Sequence, residues 1–373
     1  MNNLLREIDK RLDSINFDKL WKGFVRYDYA LYDDKNVYFS DITIPVDNRF
    51  LGNTSIEYDG KYIAIWSISD DDIKNLDVLA ANIVHEMYHA HQRTLEEKRI
   101  FNDLEGLKYP YDFENYKLRY AERLLIAKMA VEADLNKKGS LFDKFISLRR
   151  KREKIINDCI NYEKAIETFE GCAEYMALKA LKVLSVKDFE EKINFMCNNL
   201  CKTEDGVFDT RRPSYFTGAL ICLIAEQLGL DIFDEIGKAK VYLYDKVANQ
   251  WLKDKLHGSF HDEGRLSDKI SLPDEEENPF FNDCVLKQLF EKYIANIKIS
   301  VDKVMLNENA KRSKGEFMIC GYDPMNMVRY DNMVLHKRFL CVFDRNESKF
   351  IKGPVVAVSR DNDYTKCYEL FII

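Results

Sequence analysis

Two histidines four positions apart, with a glutamate directly after the first, carry the most specific chemistry in this sequence. They lie in ANIVHEMYHAHQ (81–92), where His85, Glu86 and His89 spell H-E-x-x-H. On a helix, residues i and i+4 share a face one turn apart. Imidazoles so placed can bring ring nitrogens to about 2.0–2.1 Å from one Zn²⁺. The Glu after the first His is badly aimed for the same ion, but it can reach a water beside that ion and accept its proton. His91 falls near the edge of the helix's apolar stripe and points away from a metal, as an ordinary packed histidine would.

A catalytic zinc site takes three protein ligands and leaves one position open. The best source of the third ligand is ETFEGCAEY (167–175), where Glu167, Glu170 and Glu174 share one helical stripe. Three carboxylates on a stripe repel one another unless a cation or partner compensates, although a solvated acidic face has the same pattern. Gly171 beside them would let a second helix approach closely. His257 and His261 in LHGSFHDEG repeat the i, i+4 spacing, but the Gly-Ser between them weakens a continuous helix. Cys197 and Cys201 have no further Cys or His nearby and read as thiols on a helix face.

These side chains need a helix with two different faces. Leu76, Leu79, Ala80, Ile83, Met87 and Ala90 form one apolar stripe, and His85 and His89 lie opposite it with Val78 and Asn82. Ser69 and Asp72 suggest a capping arrangement, and the acidic run 70–72 suits a helix N-terminus. Upstream, an opening helix (about 2–14) precedes strand-like segments. FVRYDYALY and NVYFSDITI flank a polar turn, and SIEYDGKYIAIW folds back at Asp59-Gly60. From Ser69 helical periodicity dominates, with breaks expected near 107–112, 137–140 and 202–213, and helices continue to about 298. EFMICGY, MVLHKRFLCVF, GPVVAVSR and KCYELFII then read as strands. The order β, long α, β predicts an α+β fold: an antiparallel β part (1–68), a helical part (69–300) and a small C-terminal β domain (301–373).

The chain has 373 residues, 46% of them hydrophobic, and a net charge of −7. It has no long basic block, and RRKREK (149–154) reads as the solvated face of a helix, so nucleic acid is not the expected partner. No run of eighteen apolar residues exists to span a membrane, and the N-terminus lacks a signal-like apolar core. Nine Cys, an odd number scattered through apolar segments, fit reduced thiols in a cytoplasmic protein.

H-E-x-x-H followed downstream by E-G-x-A-E-Y (170–175) resembles the gluzincin metallopeptidases, particularly the peptidase-MA-like group. The resemblance implies a zincin-like fold, a bound Zn²⁺ and a peptide or protein substrate. It implies His85, His89 and Glu170 as ligands, Glu86 as general base, and Glu174 as the carboxylate that orients a ligating histidine. It extends to YIAIW (62–66), similar to the edge strand of a peptide cleft, and to RRPSYFTGALICLIAEQLG (211–229), where Y-x-x-G opens a late helix. Tyr215 is then the expected oxyanion donor, with His257 and His261 as alternatives. Two features depart from the family pattern. His91 stands where zincins usually carry an apolar residue, and the long separation of His89 from Glu170 implies inserted helices around 100–165. Two other readings are a metallohydrolase of non-peptide amides or esters, and a non-catalytic binding or regulatory protein on this scaffold. The intact Glu86 counts against the last.

Overall fold

The computed structural model describes residues 1–203, 208–256, 283–345, 347–360 and 363–373. Helices α1 (Asn2–Asp13) and α2 (Phe17–Leu20) precede β1 (Tyr29–Tyr32), β2 (Asn36–Tyr38), β3 (Thr43–Pro45), β4 (Thr54–Tyr58) and β5 (Lys61–Ser67). The helical region comprises α3 (Leu76–Thr94), α4 (Asp103–Gly106), α5 (Phe113–Val131), α6 (Leu135–Ile156), α7 (Ile160–Leu184), α8 (Val186–Leu200), α9 (Arg211–Gln227), α10 (Leu243–Leu256) and α11 (Asp283–Met305). The chain ends in β6 (Lys311–Tyr322), β7 (Met327–Tyr330), β8 (Met333–His336), β9 (Phe339–Asp344), β10 (Glu347–Lys352), β11 (Val355–Ser359) and β12 (Lys366–Ile372). The architecture is α+β, as the element order predicts.

The first sheet is mixed rather than antiparallel. Its order is β3-β2-β1-β5-β4, and β1 runs parallel to β5 with Tyr29 opposite Ala64 and Leu31 opposite Trp66. Both expected hairpins form, and at the second Asp59 and Gly60 have φ of 49° and 76°, the left-handed pair that a two-residue turn of this hand requires. The β1–β5 pairing is long-range and follows from burial. Ala64 faces α3, whereas Ile63 and Ile65 pack with Val37 and Phe50 on the other side of the sheet. YIAIW is therefore buried on both faces and held on both edges. The edge strand is β4, not β5.

Helix α3 starts later than Ser69. Ser69 and Asp72 do pair, with the Ser69 N–H donating to Asp72 Oδ2 at 2.8 Å, but they close only a short 3-10 turn. The cap of α3 is Asn75, whose Oδ1 accepts from the N–H groups of Asp77 and Val78 at 3.1 Å. No break occurs at 137–140. Asp134 caps α6, which runs through Gly139; the glycine there leaves room for the Trp251 indole, since a Cβ would stand 2.9 Å from the ring. Helix α9 already begins at Arg211, with Pro213 in the first turn, where a missing N–H breaks no helical bond. Helix α11 runs on to Met305, beyond the expected end near 298.

The largest departure is RRKREK. Arg149 and Arg152 are buried, not solvated, and bridge α5, α6 and α7. Arg149 donates to both oxygens of Glu167 at 2.9 Å and to Glu122 at 2.8 Å. Arg152 pairs with Glu122 at 2.7 Å and with Glu163. Burial disfavours the charged form of Glu163, but Arg152 and Arg119 overcome it and hold its pKa at about 2.

The C-terminal sheet has seven strands in the order β10-β9-β6-β12-β11-β8-β7, with antiparallel pairing throughout. Helix α11 joins it to the helical region. Leu286, Phe290 and Tyr293 pack among Tyr109, Tyr116 and Phe208, whereas Ile297, Val301 and Val304 pack on Leu335, Val356 and Val358. Position 300, the expected domain limit, thus falls within a continuous helix. No helix among the described residues is long and apolar enough to cross a membrane.

Candidate metal centre

Two helix crossings build the site. Helix α3 lays Leu79, Ala80, Ile83 and Met87 into the core, and its opposite face meets α7. Helix α7 is in turn fixed by α9 at a glycine–glycine contact: a Cβ on Gly171 would stand 2.5 Å from the Gly218 Cα. Gly171 thus serves the close approach expected of it, and Gly218 of the Y-x-x-G segment is its partner. With no side chain at either position, α9 lies against the backbone of the turn that carries Glu167, Glu170 and Glu174.

The structure brings His85, His89 and Glu170 together. His89 Nε2 lies 3.0 Å from His85 Nε2 and 3.1 Å from Glu170 Oε2, and His85 Nε2 lies 3.7 Å from the same oxygen. All three residues are buried. A tetrahedral ion with bonds of about 2.0–2.1 Å separates its ligand atoms by roughly 3.3 Å, which these distances bracket. The His₂Glu donor set therefore fits a divalent cation, and among the described residues it is the group of His, Cys, Asp and Glu side chains that converges in this way.

Both histidines of the cluster are oriented from behind. His85 Nδ1 lies 3.1 Å from Glu174 Oε2, and the other oxygen of Glu174 is 2.9 Å from Lys192 Nζ on α8. His89 Nδ1 lies 2.7 Å from Gln92 Oε1, while Gln92 Nε2 donates to the Phe169 carbonyl at 3.0 Å. The Phe169 ring stacks on His89 with centroids 4.9 Å apart. Each imidazole Nδ1 thus has an acceptor, which turns Nε2 toward the common point, where a metal ion would take the place of a proton. The sequence reading found Glu174 but missed Gln92 and Lys192. Gln92 could have been found, since it lies one turn after His89 on the same helix; Lys192 carries no local signal.

Electrostatics favour a cation here. Burial penalises a charged His85, yet hydrogen bonds with Glu170 and Glu174 outweigh that and take its pKa up to about 10. Burial likewise opposes charge on Glu170, but His89 and His85 hold it well below the usual carboxylate range. Glu174 falls to about 2 against the same burial, through its His85 hydrogen bond and the Lys192 charge. Glu86 differs. Its Oε2 is buried without a hydrogen-bond partner among the described residues, and burial raises its pKa, with His85 and His89 pulling the other way. A carboxylate with one oxygen buried and unpaired, next in sequence to His85, is placed to take a proton.

The other predicted residues separate clearly. Glu167 is committed to Arg149 and accepts from Thr217 Oγ1 at 2.8 Å, so it is not a ligand. Tyr215 sits beside Glu170 and Arg211, and burial together with the Glu170 charge keeps its phenol protonated. His91 points away from the cluster into Phe24 and Tyr27. His257 and His261 lie outside the described residues. The sequence reading also missed Arg211, which pairs with Asp103, lies over the Phe101 ring and comes within 4.0 Å of Glu170 Oε1. No family model, no curated protein and no solved structure matches the chain.

Proposed function

We propose that this chain is a zinc-dependent hydrolase of peptide bonds, with His85, His89 and Glu170 as metal ligands and Glu86 as general base. One observation carries the reading: three ligand atoms converge on one point while the Glu86 carboxylate beside them has a buried, unpartnered oxygen. Bound there, zinc supplies Lewis-acid activation of a water near neutral pH and polarises a carbonyl. The Glu86 carboxylate accepts the proton of the attacking water and delivers it to the departing amine nitrogen. Burial raises its pKa, which suits a group that must take up a proton and then return it. Tyr215, held protonated, donates its O–H to the oxygen on which negative charge develops. Peptides are favoured over other amides by β4, an edge strand beside α3 to which an extended chain can add as a further strand. The resemblance to gluzincin peptidases points the same way.

The test combines metal analysis with one variant. Purified protein should carry about one zinc per chain, and Glu86→Gln should keep the zinc while losing hydrolysis of a mixed peptide library. Metal-free protein after reconstitution with zinc would remove the reading. So would hydrolysis that persists in Glu86→Gln.

A further inference from the structure

Between the segment after α4, the start of α9, α11 and strands β6–β7 lies a cavity of about 300 Å³. Its walls are mixed: the aromatic and apolar side chains Phe208, Tyr293 and Met327 stand beside charged and polar groups. Three cations line it, Arg211, Arg329 and Lys337, against one carboxylate, Asp209. Asp209 is engaged elsewhere: its Oδ1 accepts from the Arg211 and Arg212 N–H groups at the start of α9. Arg211 is answered by Asp103. Arg329 is the exception. Only 8% exposed, it donates to the Leu107 and Tyr109 carbonyls and lies against the rings of Tyr111 and Tyr364. Among the described residues no carboxylate pairs with it. Carbonyl dipoles and ring faces orient a guanidinium but bring no formal negative charge, and a buried charge without a counter-charge is destabilising.

We propose that this cavity binds a small carboxylate carrying an apolar or aromatic group, with the carboxylate on Arg329 and the apolar group against Tyr293 and Met327. The N–H groups left over from the two carbonyls form part of a planar fork, which matches a carboxylate. Lys337, exposed at the wall, adds long-range attraction for an anion. The cavity also adjoins the metal centre, because Arg211 lines it and reaches to within 4.0 Å of Glu170. On the peptidase reading, on which this step rests, the ligand is the carboxylate end of a short peptide, and the enzyme acts near free C-termini.

The cavity is tested without metal. N-acetyl-L-leucine and N-acetyl-L-leucinamide, equal in shape but not in charge, are titrated into chelator-treated protein by calorimetry. The carboxylate should bind at least about tenfold more tightly. Met327→Trp, which fills the cavity from its apolar wall, should remove that binding while zinc uptake and the unfolding temperature hold. Arg329→Gln should erase the preference for the carboxylate, but it also cuts two bonds to the helical region, so Met327→Trp carries the test. Equal affinity for the two compounds, binding that survives Met327→Trp, or no binding at millimolar concentration would overturn the site. Inorganic phosphate competing as well as the carboxylate would overturn the ligand class. Zinc uptake by the same protein reports separately on the metal reading. With zinc restored, cleavage of a peptide but not of its C-terminal amide supports the assignment to the substrate's end, and equal cleavage refutes it.

Discussion

The Glu174 carboxylate meets His85 at Nδ1, 3.1 Å away, while the Nε2 of the same ring faces His89 and Glu170. Lys192 holds the other oxygen of that carboxylate, so helix α8 helps to set the direction of the His85 ring on α3. Glu174→Gln should keep the fold and weaken zinc affinity by roughly 10–100-fold, and Gln92→Ala should do the same through His89. Competition with a fluorescent chelator measures this. Glu170→Gln, which removes a ligand, should lose more than either. Equal losses in all three would argue that Glu170 does not touch the metal.

The α7–α9 contact predicts a coupled effect. Gly218→Ala would place a Cβ against the Glu167 backbone and push the helices apart, costing on the order of 1–3 kcal/mol or more. Since Glu170 is one turn from that contact, zinc affinity should fall along with stability. Denaturant unfolding and chelator competition on one preparation would reveal a stability loss without a metal effect, in which case the crossing does not position the ligand.

Arg149 should be among the costliest residues to remove. Arg149→Met leaves Glu167 without a cation and Glu122 with Arg152 alone, at a penalty of about 3–5 kcal/mol. The double variant Arg149→Met/Glu167→Met should lose less than Arg149→Met alone, because the orphaned carboxylate goes with its partner. Urea unfolding of both decides the point.

Two buried histidines shape the acid limb of stability. Burial lowers the pKa of His336 to about 3 and that of His91 to about 4, below the unfolded value of about 6.5. The unfolded chain therefore binds these protons first as pH falls. Their contribution is complete above about pH 6.5 and is lost on acidification toward pH 4, at up to about 1.4 kcal/mol per pH unit for each group. His336→Phe should flatten the fall between pH 6.5 and 4 by about one proton. An unchanged slope in urea titrations across that range would show that His336 does not contribute.

Local chemistry determined much of this protein. Residues i and i+4 of a helix share a face whatever surrounds them, so His85, Glu86 and His89 were placed by spacing alone. The left-handed turn at Asp59-Gly60 and the packed side of α3 follow from equally short-range rules. Tertiary structure decided the rest, because charge and register are settled by distant partners. Glu167, Glu170 and Glu174 look equivalent in the sequence, yet Arg149 takes the first, the two histidines converge on the second, and His85 with Lys192 takes the third. The basic run 149–154 reads as solvated until α5 and α7 supply the carboxylates against which Arg149 and Arg152 are buried. Strand β5 lies inside its sheet because β1 pairs with it in parallel, a contact across more than thirty residues that no local pattern announces.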